Sequence, residues 1–188
     1  MESYIYIDGW KEKIRFSSAH VIPEYENCGR LHGHTYAFHI KLFGKPDEKG
    51  IILDFSIIKA VLKDIVKKID HKIMIPKNSK FAKIKINDNF VNMETLGKKY
   101  VFPKEDCIIL PIDSTSAEKL SLYILDKFIE KIKPYSNISK IEMATWESEE
   151  VSQECFPNVK ILANDIKELG PLQPCNYLFQ AWESWRKD

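Results

Sequence analysis

The sequence predicts an α+β fold, a four-stranded antiparallel sheet with two helices on one face. Three observations carry this reading. Two stretches, 56–69 and 115–132, repeat apolar residues at helical spacing. Four others, 4–19, 33–43, 138–146 and 158–162, read as strands. The order strand, strand, helix, excursion, helix, strand, strand sets two amphipathic helices against a sheet that needs one face covered.

Residues 4–19 alternate loosely and carry His20 at their end. A loop over 23–29 leads into the second strand, 33–43, which is rich in aromatic residues (Tyr36, Phe38, Phe43). The cluster 44–50 is a turn, and Ile51-Ile52-Leu53-Asp54-Phe55 is a short apolar run. The first helix buries Ile57, Ile58, Val61, Leu62, Ile65, Val66 and Ile69, and runs into Asp70-His71, with Pro76 beyond. Asp54 is read as its N-terminal cap.

Residues 78–112 read as an inserted β-rich excursion. Asn87-Asp88-Asn89 is its turn, and 98–102 and 107–110 are its strands. Thr115-Ser116-Ala117-Glu118 reads as a capping box opening the second helix, which stops at Pro134. Ile138–Trp146 and Asn158–Leu162 are the last strands. Beyond about 165 the chain forms a C-terminal extension, in which Leu178, Trp182 and Trp185 share a helical face. The whole, 1–188, is read as a single domain.

The chemistry gathers at Cys28-Gly29-Arg30-Leu31-His32-Gly33-His34, with His20 upstream. On a strand, His32 and His34 fall on one face, with Tyr36 and Phe38, while His39 falls on the other and is left out. A third imidazole, His20, from a neighbouring strand completes a three-histidine set. Three protein ligands and an open position are the arrangement of catalytic zinc, whereas structural zinc is closed by four. Cys28 has two readings: a fourth ligand that closes the site, or a free thiol acting as acid or base beside the ion.

Of 188 residues, 44% are hydrophobic and 29% charged; 28 basic against 27 acidic residues give a net charge of +1. That balance supplies no field to draw in nucleic acid or a membrane surface, and neither is expected as a partner. No run approaches the roughly 20 apolar residues of a membrane span. The opening Met1-Glu2-Ser3-Tyr4 lacks a secretory pattern, and the four cysteines form no framework. A cytoplasmic protein with reduced thiols is expected.

The C-x-x-x-H-G-H run at 28–34, with its strand histidine, resembles the 6-pyruvoyl-tetrahydropterin synthase / 6-carboxytetrahydropterin synthase family. The four-residue step from Cys28 to His32 is similar to the 6-carboxytetrahydropterin synthase branch. Further segments resemble the family in order: Gly50–Phe55 its G-x-x-x-D-F, Ile69-Asp70-His71 its L-D-H, 115–118 its T-A-E helix start, and Thr145–Ser148 its strand-end E-T or E-S.

The resemblance implies the tunnelling fold, in which sheets join into a trimeric barrel and two trimers stack, so a homotrimer or homohexamer is expected. It implies Zn²⁺ held by His20, His32 and His34, and 7,8-dihydroneopterin triphosphate as substrate. It implies proton transfer by Cys28 with Asp70 and His71, and anchoring of the pterin ring by Glu147. The branch resembled yields 6-carboxytetrahydropterin, acetaldehyde and triphosphate, on the route to the deazaguanine tRNA bases (queuosine and archaeosine biosynthesis). The alternatives are triphosphate elimination to 6-pyruvoyl-tetrahydropterin, and a structural zinc protein without turnover. Glu118, explained by the capping box, is left out. Arg15, Arg30 and several lysines are candidates for the triphosphate, with none singled out.

Overall fold

The computed structural model describes residues 3–23, 25, 27–148 and 159–162. Its elements are β1 (Tyr4–Ile7), β2 (Arg15–His20), β3 (His32–Gly44), α1 (Phe55–Lys67), β4 (Lys72–Pro76), β5 (Lys83–Ile86), β6 (Phe90–Thr95), β7 (Lys98–Pro103), β8 (Cys107–Leu110), α2 (Ala117–Ile132), β9 (Ile138–Trp146) and β10 (Val159–Leu162).

The main sheet has seven strands, where the sequence predicted four. Its order is β10-β9-β3-β2-β4-β8, and β1 pairs with the far half of β3. The pairs β10–β9, β9–β3 and β3–β2 are antiparallel, while β2–β4 and β4–β8 are parallel. The sheet is therefore mixed, and the expected antiparallel sheet is corrected. The physical reason is that the chain returns from α1 directly into β4, a crossover that makes β4 parallel to β2.

The first predicted strand is also divided. Tyr4–Ile7 pairs with Phe43–Ile40 and Arg15–His20 with Ala37–His32, so β1 and β2 lie end to end beside β3. Residues 8–14 bulge out between them. Gly9 makes the bulge possible, since a Cβ there would stand 2.2 Å from the Phe38 carbonyl oxygen.

Both helices cover one face. Ile58, Leu62 and Val66 of α1 and Leu120, Ile124 and Phe128 of α2 share a core with Phe16, Phe38, Ile40, Leu42 and Met143. Asp54 caps α1 as expected, its side chain accepting from the Ser56 N–H at 2.7 Å. The excursion forms a three-stranded antiparallel sheet, β5-β6-β7. Its inner residues Val91, Met93 and Phe102 pack on Val21 and Ile75, the side opposite to Met74. It therefore lies against the face of the main sheet that the helices leave open, while β8 joins the main sheet itself.

The capping box is not formed. The N-cap of α2 is Ser116, with no side-chain hydrogen bond, and Thr115 is fully buried with its hydroxyl donating to the Val21 carbonyl at 3.3 Å. Tertiary contact has outbid a local pattern. The predicted helical face of Leu178, Trp182 and Trp185 lies outside the described residues, as does the rest of the extension. Among the described residues, no helix is long and apolar enough to cross a membrane.

Candidate metal centre

His20 closes β2 and His32 opens β3, and the register sets the two directly opposite one another. His34 follows two residues on, so alternation returns it to the same face. Between them, Gly33 lies against β2, where a Cβ would come within 3.0 Å of the Ser18 carbonyl oxygen. The ligand nitrogens of His20, His32 and His34 all lie within 4.8 Å of one another. His20 is buried, and the other two are half-buried.

Backbone carbonyls orient two of the rings. His20 Nδ1 is 3.0 Å from the Thr115 oxygen, and His32 Nδ1 is 2.7 Å from the Arg30 oxygen. A carbonyl can only accept, so each Nδ1 carries the proton and each Nε2 of the neutral ring carries a lone pair. Those two Nε2 atoms stand 3.1 Å apart. Two facing lone pairs repel unless a cation or a proton lies between them. Two nitrogens bound to one tetrahedral zinc at about 2.0–2.1 Å would be roughly 3.3 Å apart. The set thus fits a metal ion on spacing, tautomer and donor type.

The electrostatics agree. Burial, then the neighbouring His32, lowers the His20 pKa to about 4, so this ring is neutral at neutral pH. His34 is lowered by burial and by His32 as well. Neutral imidazole is the form that binds metal.

The other predicted residues fall in three places. Cys28 lies in the loop before β3, half-buried, its carbonyl accepting from the Ile22 N–H at 2.8 Å. It is not a member of the three-histidine cluster. Glu147 follows β9 and reaches the cluster, with its Oε2 3.9 Å from His34 Nε2. Burial, and next the charge of Glu118, raises the Glu147 pKa. Glu118, set aside at the sequence level, thus stands close enough to Glu147 to repel it, at the open end of α2.

Asp70 and His71 lie past α1 and attach to β2 at Ser17. Asp70 Oδ1 accepts from the Ser17 N–H at 2.9 Å, and the His71 N–H donates to the Ser17 carbonyl at 2.8 Å. His71 adopts a left-handed backbone (φ 58°), and its Nδ1 is 3.0 Å from Asp70 Oδ2. Ser17 is three residues from His20, about 10 Å along a strand. The His71 side chain is 83% exposed. The pair is therefore built as a unit but stands apart from the triad of its own chain. His39 lies on the opposite face, against Trp146 with ring centroids 4.4 Å apart and the rings tilted by 32°.

Sequence reasoning missed Thr115 and the orienting role of its carbonyl. It placed Tyr36 on the correct face but gave it no part. Tyr36 is fully buried, and its hydroxyl touches the His20 ring.

The fold and the cluster define an α+β protein with a candidate metal centre where β2 ends and β3 begins. Residues 10–157 match the family described as 6-pyruvoyl tetrahydropterin synthase, and the chain belongs to that family. It is 36% identical over 141 residues to a Methanocaldococcus jannaschii protein provisionally named 6-carboxy-5,6,7,8-tetrahydropterin synthase, covering 73% of this chain and 86% of that protein. It is 28% identical over 123 residues to the 6-carboxy-5,6,7,8-tetrahydropterin synthase of Rickettsia bellii, covering 64% of this chain and 79% of that protein. Among solved structures it is similar to the 6-pyruvoyl tetrahydropterin synthase of Plasmodium falciparum, with a TM-score of 0.74 and 30% identity over 86% of this chain and 98% of that one.

Proposed function

We propose that the chain is a zinc-dependent pterin synthase of the 6-carboxytetrahydropterin type. It would convert 7,8-dihydroneopterin triphosphate and one water to 6-carboxy-5,6,7,8-tetrahydropterin, acetaldehyde and triphosphate, toward the deazaguanine bases. The observation that carries the reading is the convergence of His20, His32 and His34, with the Nε2 atoms of His20 and His32 3.1 Å apart. The names of the curated relatives support the product.

Zinc bound there would act as a Lewis acid toward the oxygens of the substrate side chain. The remaining work belongs to the chain. Glu147, beside His34, accepts N–H bonds from the guanidine-like edge of the pterin and fixes its orientation. Glu118 adds a second acceptor to the same corner. Cys28 removes a proton from the substrate side chain, and its exclusion from the histidine cluster leaves its sulfur available for that task. Asp70 orients His71, which returns a proton. Because this pair stands off from its own triad, the reading places it at the triad of a neighbouring copy in a homotrimer or homohexamer.

A second reading has the support of the Plasmodium likenesses. The P. falciparum and P. vivax structures, with TM-scores of 0.74 and 0.73, are of 6-pyruvoyl tetrahydropterin synthases. That chemistry eliminates triphosphate without releasing acetaldehyde. Incubating the zinc-loaded protein with 7,8-dihydroneopterin triphosphate and identifying the products separates the two. Acetaldehyde with 6-carboxytetrahydropterin supports the first reading, 6-pyruvoyl-tetrahydropterin the second, and unconsumed substrate neither.

A further inference from the structure

The Tyr36 hydroxyl lies 3.3 Å from His20 Nδ1 and 3.2 Å from His20 Nε2. A point equally far from both nitrogens lies on the bisector through Cε1. In the ring plane, at that range, it would overlap Cε1. The oxygen therefore sits over the imidazole face, and the two rings, 89° apart, bring the phenol edge-on to it.

This placement spares both in-plane directions of His20. Nδ1–H remains with the Thr115 carbonyl, and the Nε2 lone pair remains aimed at the cluster. An in-line bond from the hydroxyl to Nε2 would instead have occupied the lone pair that a metal needs. Tyr36 is itself held firmly. It is fully buried, stacked on Phe16 at 4.9 Å and 13°, and packed edge-on against His34 at 5.7 Å.

Packing alone does not account for the hydroxyl. A buried hydroxyl without an in-line acceptor costs stability, and phenylalanine would keep the stack without that cost. Among the described residues, its hydrogen-bond contacts are the two His20 nitrogens. What the oxygen adds is bearing on one imidazole.

We infer that Tyr36 is a positioning residue for the candidate metal centre, its hydroxyl resting on the face of His20 and holding Nε2 in line with His32 and His34. This rests on reading the triad as a metal centre. The outer contacts of a ligand histidine set its orientation, and their loss typically weakens metal binding by about 10–100-fold.

The test compares the full-length parent with Tyr36→Phe and Phe16→Leu. Zinc affinity is measured by competition with a chromophoric chelator, cobalt-loaded protein by its visible spectrum, and metal-free protein by its thermal midpoint. Tyr36→Phe is expected to lose zinc affinity by roughly 10–100-fold and to shift the cobalt bands, with no fall in the metal-free midpoint. Phe16→Leu, which loosens the stack without touching the hydroxyl, is expected to lower the midpoint and keep the parent's affinity and spectrum. Equal affinity in Tyr36→Phe and parent overturns the inference. So does a fallen metal-free midpoint in Tyr36→Phe, or an equal affinity loss in Phe16→Leu, since either would reduce the effect to packing. A parent that takes up neither zinc nor cobalt overturns the metal-centre reading itself.

Discussion

His20 and His32 face one another across β2 and β3 with their Nε2 atoms 3.1 Å apart, and each ring is turned by a backbone carbonyl. Side-chain substitutions elsewhere cannot remove those carbonyls, so the tautomers are written into the main chain. The cluster could hold a cation with both of these rings already turned toward it.

The first prediction concerns metal content. His32→Ala should lose most bound zinc, and so should His20→Ala and His34→Ala. His39→Ala should keep it, because His39 lies on the other face against Trp146. Binding only to the native state stabilises it by about 2.7 kcal/mol at a hundredfold excess over Kd. Zinc should therefore raise the thermal midpoint of the parent and of His39→Ala, and leave that of His32→Ala unmoved. A full zinc complement in His32→Ala, by elemental analysis, would sink the ligand assignment.

The second separates a catalytic from a structural ion. Cys28 stands outside the histidine cluster, so Cys28→Ala should keep metal and fold. It should lose turnover by about 10²–10⁴, the usual worth of one placed acid–base group. Metal content and consumption of dihydroneopterin triphosphate, read on one preparation, decide the matter. A metal-free, unfolded Cys28→Ala would make the sulfur a fourth ligand.

Glu147→Gln gives the third. The substitution keeps size but replaces an acceptor with an N–H facing the pterin's own N–H. A buried polar mismatch costs about 1–3 kcal/mol, which is about 5–150-fold in affinity. Zinc content should not change. Unchanged substrate affinity would assign Glu147 to the solvated surface, even though it lies 3.9 Å from His34.

Much of this was legible in the sequence, and the remainder was hidden for physical reasons. The helices and β9 announced themselves through local periodicity, which tertiary contact only reinforced. β4 did not. It is five residues long, ends in Pro76 and follows a helix terminator, so its apolar run looked like a connection. Its parallel pairing to β2 is a long-range fact with no local signature. The histidine triad was readable because strand parity fixes which residues share a face. Thr115 was misread because its hydroxyl had a sufficient local explanation, whereas its carbonyl partner, His20, lies 95 residues away. Glu118 was hidden by the same capping reading.

The last prediction concerns Asp70 and His71. They form a unit, with His71 Nδ1 3.0 Å from Asp70 Oδ2 and both residues fastened to Ser17. Yet the unit stands roughly 10 Å along β2 from His20, and its imidazole is largely exposed. As a proton-transfer pair, it is expected to serve the triad of a neighbouring chain rather than its own. Cys28→Ala and His71→Ala should each be inactive as uniform assemblies. Unfolded and refolded together, they should recover a fraction of the parent rate, because some sites will then combine an intact Cys28 from one chain with an intact His71 from its neighbour. Mixing without subunit exchange should recover nothing. Light scattering on the parent should show a trimer or hexamer at micromolar concentration. A monomer that turns over substrate at the full rate would refute the shared site, and so would co-refolded variants that stay silent while each remains folded and zinc-loaded.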